Sequence, residues 1–189
     1  ALLRSIPGLT IMQPADAAEF SNMLFTATRL ARPVVIRYPR GVAPGGSMPE
    51  KFTEIQEGKA VVEREGGPVQ IWALGDMLDT ARKAADILGR DNIKAGIVNA
   101  GFVRPLDKNL LGKHAASARV IATIENGVAS GGFGSGVQEV LAENGFDGCV
   151  LKFGWPDKFV PHGKQEILMQ EYGLSPQAVA DAISNGIVK

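Results

Sequence analysis

Short apolar runs rich in β-branched residues alternate along this chain with stretches of helical periodicity, and that alternation admits few folds. Strands covered on both faces read as near-continuous apolar runs, and alternation with helices calls for a mostly parallel sheet. Thr10-Ile11-Met12, the 34–37 run, Val69-Gln70-Ile71-Trp72-Ala73-Leu74, a run near 93–98, Val120-Ile121-Ala122-Thr123-Ile124 and Cys149-Val150-Leu151-Lys152-Phe153 are such segments. Lys59-Ala60-Val61-Val62-Glu63 reads as one more strand, and the Glu65-Gly66-Gly67-Pro68 stretch after it predicts a hairpin into 69–74.

Helical signals fall between the strands. Asp16 is an expected N-cap, with Glu19 three residues on as a capping-box variant. Phe20, Met23, Leu24, Ala27 and Leu30 then share a face, which predicts a helix over 17–30. Asp76 is expected to cap a helix carrying Leu78, Ala81, Ala85 and Leu88 and ending at Gly89. Further helices are expected from Asp107, around Val137, Val140 and Leu141, near 164–171, and from the Ser175-Pro176 pair.

The expected organisation follows. Residues 57–189 carry a complete α/β pattern: a five-stranded, mostly parallel sheet with one antiparallel edge strand and helices on both faces. Residues 42–56, including Ala43-Pro44-Gly45-Gly46-Ser47-Met48-Pro49, have the composition of a linker. Residues 1–41 hold two strands and one helix, too few to bury a parallel sheet, so other strands are expected from elsewhere. The start at Ala1 without methionine is compatible with a processed or truncated product.

Composition narrows the function. Lys+Arg and Asp+Glu both number 20, so no global field favours nucleic acid or an anionic membrane. Aromatics at 6% weaken a base-stacking surface further. No apolar run approaches a membrane span, and the N-terminus lacks a signal-peptide pattern. The single Cys149 excludes an internal disulfide, fits a reducing cytoplasm and is read as a small core residue of a buried strand.

The octet Val34-Val35-Ile36-Arg37-Tyr38-Pro39-Arg40-Gly41 carries the strongest chemical signal. Proline stops the strand, and an arginine followed by glycine projects past its carboxyl end, where α/β sheets collect ligands. Arginine there offers a planar fork suited to phosphate. Arg37 lies an odd number of residues from Arg40, faces the other way and is expected to join an ion pair; Tyr38 is expected to pack or to shape the site. Gly131-Gly132-Phe133-Gly134-Ser135-Gly136 lies between a strand and a helix but matches neither phosphate-loop pattern, so close packing is the expectation. Glu125 is expected to be a hydrogen-bonded structural carboxylate, and His114 a packed or half-exposed residue. His162, with no second histidine or cysteine nearby, makes no metal site; with Asp157 it is expected to brace a loop.

Taken in order, Leu3-Arg4-Ser5-Ile6-Pro7, Thr10–Asp16, Tyr38-Pro39-Arg40-Gly41, Phe102–Asp107, Thr123-Ile124-Glu125, the glycine turn and Pro156-Asp157-Lys158-Phe159-Val160-Pro161-His162-Gly163 resemble the C-terminal third of the 1-deoxy-D-xylulose-5-phosphate synthases. These are thiamine-diphosphate-dependent members of the transketolase superfamily. The resemblance implies a transketolase C-terminal-like domain preceded by the tail of a pyrimidine-binding domain. It also implies a soluble homodimer, cytoplasmic in bacteria or located in plastids, with no nucleic-acid or membrane partner. The implied enzyme decarboxylates pyruvate and joins it to D-glyceraldehyde 3-phosphate, feeding isoprenoid, thiamine and pyridoxal precursors. Arg40 is then the arginine on the acceptor phosphate, with Arg37 and Tyr38 as lesser substrate-binding candidates. The ligands of thiamine diphosphate and Mg²⁺, and the catalytic residues, lie upstream in the family. None is carried over, and the chain alone is expected to be inactive. Two positions depart from the family pattern: Asn126 replaces a frequent acidic residue and Trp155 a smaller aliphatic one. Transketolase itself, a 2-oxoacid dehydrogenase β subunit or a non-catalytic α/β binding module are the alternatives.

Overall fold

Alternate residues of the central strands face opposite ways, and each set finds a helical layer to cover it. In the computed structural model, which describes residues 1–40 and 49–187, the described residues form eight strands in two sheets. In chain order these are β1 (Thr10–Met12), α1 (Ala17–Arg29), β2 (Val34–Ile36), β3 (Val61–Arg64), β4 (Val69–Ala73), α2 (Leu78–Arg90), β5 (Ala95–Asn99) and β6 (Phe102–Arg104). There follow α3 (Lys108–Ala115), β7 (Val120–Val128), α4 (Phe133–Glu143), β8 (Cys149–Trp155), α5 (Gln165–Glu171) and α6 (Pro176–Ile187).

The larger sheet has the order β3-β5-β4-β7-β8 and is parallel except for β3 at one edge. Ile71, Ile97, Ala122 and Ile124 pack against α2 and α6 through Leu78, Leu88, Val179 and Ile183. Trp72, Val98 and Ile121 face the other way, toward α3 and α4 through Leu111, Phe133 and Val137. The fold class is thus the expected one, an α/β domain with a five-stranded, mostly parallel sheet and helices on both faces.

Local caps formed as expected where both partners are near in sequence. Asp16 accepts from the Glu19 N–H at 2.8 Å, and the Glu19 carboxylate reaches back to the Ala15 N–H at 2.7 Å. Asp107 caps α3 by accepting from the Leu110 N–H at 3.1 Å. The segment of the expected linker as far as residue 48 lies outside the described residues. Residues 49–56 form no helix or strand and lie on α1, where Thr53 and Ile55 donate backbone N–H bonds to the Asn22 and Thr26 side chains.

Three expectations need correction, and a fourth is met in part. No β3–β4 hairpin forms, because β5 lies between the two strands. Instead of turning back, Gly66-Gly67 crosses β5: a Cβ on Gly66 would stand 2.2 Å from the Gly96 nitrogen, and the Gly67 N–H donates to Lys94 O. Asp76 does not cap α2, which begins after a short 3₁₀ turn at Gly75–Met77 with no side-chain cap. Strand β8 is half-buried, not buried, because it is the outer strand of the sheet. Finally, β1 and β2 gain a strand from this same chain: β6 pairs antiparallel with β1, and Met12, Met23 and Phe102 form a third small core.

Candidate functional site at the strand ends

The chain leaves β4 toward β5 on one side and later reaches β7 on the other, which opens a crevice at the carboxyl ends of β4 and β7. Here the crevice is filled by the chain itself. Gln13, 1% exposed, enters it directly after β1, against Gly75. Gly75 has φ +60°, and a Cβ there would meet Gln13 Cγ at 2.4 Å, so both backbone and space require glycine.

Four side chains close a ring of hydrogen bonds in this crevice. Arg37, just past β2, donates from Nη1 to Gln13 Oε1 at 2.7 Å and from Nη2 to the backbone carbonyl of Asn126. Gln13 Nε2 donates to Asp76 Oδ1 at 3.0 Å, and Asn126 Nδ2 donates to Asp76 Oδ2 at 2.6 Å. Trp155 Nε1 donates to Asn126 Oδ1 at 2.7 Å and so holds its amide in one orientation. Arg37 therefore binds two neutral carbonyls and, among the described residues, makes no ion pair, contrary to expectation. Gln13 has no role in the sequence reading, and Asp76 only that of a helix cap; a polar residue directly after an apolar strand run was the available signal for the first.

Beyond Arg37 the chain runs outward. Tyr38 is 63% exposed and packs edge-to-face on Phe20 of α1, with ring centroids 5.0 Å apart. Arg40 is exposed, and among the described residues no hydrogen bond or ion pair engages its guanidinium. Its neighbour Gly41 lies outside the described residues.

The glycine turn after β7 has its donors occupied. Glu125 accepts from the Phe133 N–H at 3.0 Å and the Gly134 N–H at 2.9 Å, so a carboxylate of the chain sits where a phosphate loop would hold its anion. Burial pushes the Glu125 carboxyl above the ordinary range, against the lowering effect of these two bonds. Arg4 grips Glu139 of α4 through both terminal nitrogens, at 2.8 and 2.6 Å, which raises Arg4 and holds Glu139 low. Between these groups lies a cleft of about 420 Å³ lined by Arg4, Gln13, Arg37 and Glu125. A second cleft, of about 650 Å³, lies between the starts of α2 and α6 and carries Lys83 and Lys164 beside Asp79 and Glu166. Arg40 lines neither.

His114 is half-buried as expected; its Nδ1 accepts from Trp72 Nε1 at 3.1 Å, and burial lowers its pKa. Asp157 and His162 are exposed, and among the described residues neither side chain is hydrogen-bonded, so they do not brace the loop. Lys158 lies over the Tyr172 ring instead, at 5.0 Å. Among the described residues no three His, Cys, Asp or Glu side chains are grouped to hold a metal ion, and no helix is long and apolar enough to cross a membrane.

Residues 58–179 match the family model of the transketolase C-terminal domain. The chain belongs to that family. Residues 1–45 match the model of the transketolase pyrimidine-binding domain, so the transketolase C-terminal domain here is preceded by a second transketolase element. The chain is 42% identical over 180 residues to the 1-deoxy-D-xylulose-5-phosphate synthase of Heliobacterium modesticaldum, covering 95% of this chain and 28% of the relative. Its similarity to the Pelotomaculum thermopropionicum enzyme of the same name is also 42%, over 182 residues, 96% of this chain and 29% of the relative. The chain thus spans less than a third of the length of these curated relatives. Among solved structures, a split gene transketolase described as an inactive β4 tetramer superposes with a TM-score of 0.90 at 32% identity, over 99% of this chain and 60% of that one. A Pichia stipitis transketolase shares the fold with a TM-score of 0.73 at 20% identity, over 99% of this chain and 26% of that one.

Proposed function

We propose that this chain is the C-terminal part of a thiamine-diphosphate-dependent transferase that condenses pyruvate, with decarboxylation, and D-glyceraldehyde 3-phosphate. The product is 1-deoxy-D-xylulose 5-phosphate, the first step of the non-mevalonate isoprenoid route. The chain supplies the acceptor-phosphate arginine, Arg40, the end of the pyrimidine-binding unit over 1–41, a connection over 42–56 and the C-terminal domain over 57–189. It works as a homodimer in the cytoplasm or a plastid, and it is inactive without the N-terminal part of the enzyme. The split gene transketolase described as inactive supports that last statement.

The observation that carries the reading is Arg40. It is an exposed guanidinium just beyond the carboxyl end of a parallel strand, with no partner among the described residues, on a chain 42% identical to enzymes that make a sugar phosphate. A phosphate remote from the reacting carbon offers binding energy that orients the aldehyde, and a guanidinium fork fixes its direction as well as its distance. Arg37 ranks below Arg40 as a phosphate ligand because both its terminal nitrogens already donate elsewhere. Tyr38 shapes the wall beside it.

Thiamine diphosphate, held by the rest of the enzyme, would supply the electron sink for the decarboxylation. The residues present do not form its diphosphate and Mg²⁺ site: no cluster of acidic ligands exists among the described residues, and the α4 N-terminus is taken by Glu125. In the full-length enzyme, Arg40→Ala is expected to raise KM for D-glyceraldehyde 3-phosphate by about tenfold to a hundredfold, the worth of a charged hydrogen-bonded contact. KM for pyruvate stays near the parent value. An unchanged acceptor KM removes the assignment. Product analysis with both substrates separates this reaction from that of transketolase or a 2-oxoacid dehydrogenase.

A further inference from the structure

We propose that Arg37, with Gln13, Asp76 and Asn126, forms a positioning device that aims Arg40 at the acceptor phosphate; the inference rests on the reading of Arg40 given above. Arg37 does not touch the substrate. It acts through the chain it begins.

The ring joins four strand ends in two sheets. Gln13 follows β1, Arg37 follows β2, Asp76 follows β4 and Asn126 lies in β7. Its polarity is consistent all the way round: the guanidinium donates to two carbonyls, and two side-chain amides donate to the two oxygens of one carboxylate. Each amide both accepts and donates, so neither can flip without losing two bonds at once. A closed, satisfied network of this kind fixes geometry, which a solvated arginine could not do.

The link from the ring to Arg40 is short and stiff. Only Tyr38 and Pro39 separate Arg37 from Arg40, a span of at most about 11 Å of extended chain. Pro39 locks its own φ and confines Tyr38 to extended conformations. Tyr38 is braced in turn against the Phe20 ring of α1. Arg37 is thus held by the C-terminal domain and Tyr38 by the preceding helix, so the direction in which Arg40 leaves the sheet depends on how the two units dock. A misplacement of about 1 Å in a positioning group can cost up to about a hundredfold, and here it falls on capture of the acceptor phosphate.

The test uses the full-length enzyme with D-glyceraldehyde 3-phosphate and unphosphorylated D-glyceraldehyde as acceptors. Arg37→Met keeps an unbranched stem and removes every donor. Asn126→Asp leaves residues 37–40 untouched but sets a carboxylate against Asp76. Both are expected to raise KM for the phosphorylated acceptor about tenfold, with kcat and KM for pyruvate near the parent values. The preference for the phosphorylated acceptor falls with them, and Arg37→Lys restores part of it. In an Arg40→Ala background, Arg37→Met produces no further loss, because there is no longer a guanidinium to aim. If Arg37→Met does not accumulate, Arg37→Lys and Asn126→Asp carry the same comparison. An equal effect on both acceptors, or an effect of full size in the Arg40→Ala background, overturns the positioning role. Loss of phosphate preference in Arg40→Ala but not in the ring variants overturns this inference alone. No loss in Arg40→Ala overturns both readings.

Discussion

At the scale of single residues, Glu125 shows how burial and hydrogen bonding compete over one carboxyl group. Two backbone N–H bonds favour its charged form, yet burial outweighs them and its pKa stands above the ordinary range. Glu19, bound to Ala15 and Asn99, is raised for the same reason. A carboxyl raised in the folded state binds its proton more tightly there than in the unfolded chain. Its contribution to stability is therefore complete below the unfolded pKa and is lost as pH rises through the folded one. Glu125→Gln removes that decline and leaves one of two N–H groups at the start of α4 facing an amide donor. A loss of about 1–2 kcal/mol at neutral pH is expected, with a flatter profile of urea midpoint against pH across the weakly acidic range. Legibility at this scale depended on sequence distance. Asp16 and Asp107 were readable as caps because each bonds an N–H three residues on. Asp76 was misread because its partners, Gln13 and Asn126, lie 63 and 50 residues away.

Among the elements, β7 and α4 form a tightly constrained pair. The turn between them brings Gly132 so close that a Cβ would stand 2.4 Å from both Glu125 Oε2 and the Val128 carbonyl. Backbone cannot yield there as a side chain tip could. Gly132→Ala is expected to destabilise the fold by about 1–3 kcal/mol, the range for overpacking, measured by denaturant unfolding. The glycine-rich turn was correctly separated from a phosphate loop by its missing lysine, but the side chain that occupies its donors was not legible. The glycines before β4 carried the opposite lesson. Gly66-Gly67 looks like a turn locally, whereas its real constraint is close passage over Gly96, which only the order of strands reveals.

For the whole molecule, the junction between the first unit and the C-terminal domain is built from several small pieces: β6 on β1, the Phe102 core, the Arg4–Glu139 pair and the Arg37 ring. The Arg4–Glu139 pair is partly exposed and contributes at most about 1 kcal/mol; Glu139, held low by Arg4, loses that contribution as pH falls through its folded pKa. Phe102 is 1% exposed and sits between the two units. Phe102→Ala is expected to cost about 3–5 kcal/mol. It should release the β1 and β2 amides to hydrogen exchange before those of β4 and β7, because the opened region is the smaller cooperative unit. Equal acceleration in both sheets counts against a separable junction. The amino-acid sequence by itself determined the α/β class, the helices on both faces and the exposed arginine after β2. Each of these follows from periodicity and from local backbone chemistry that acts over a few residues. Tertiary structure alone decided that β6 joins the first sheet, that β5 separates β3 from β4, and that Gln13, Arg37, Asp76 and Asn126 meet. Those contacts join residues far apart in the chain, and no local pattern encodes which strand ends the packing of two sheets will bring together.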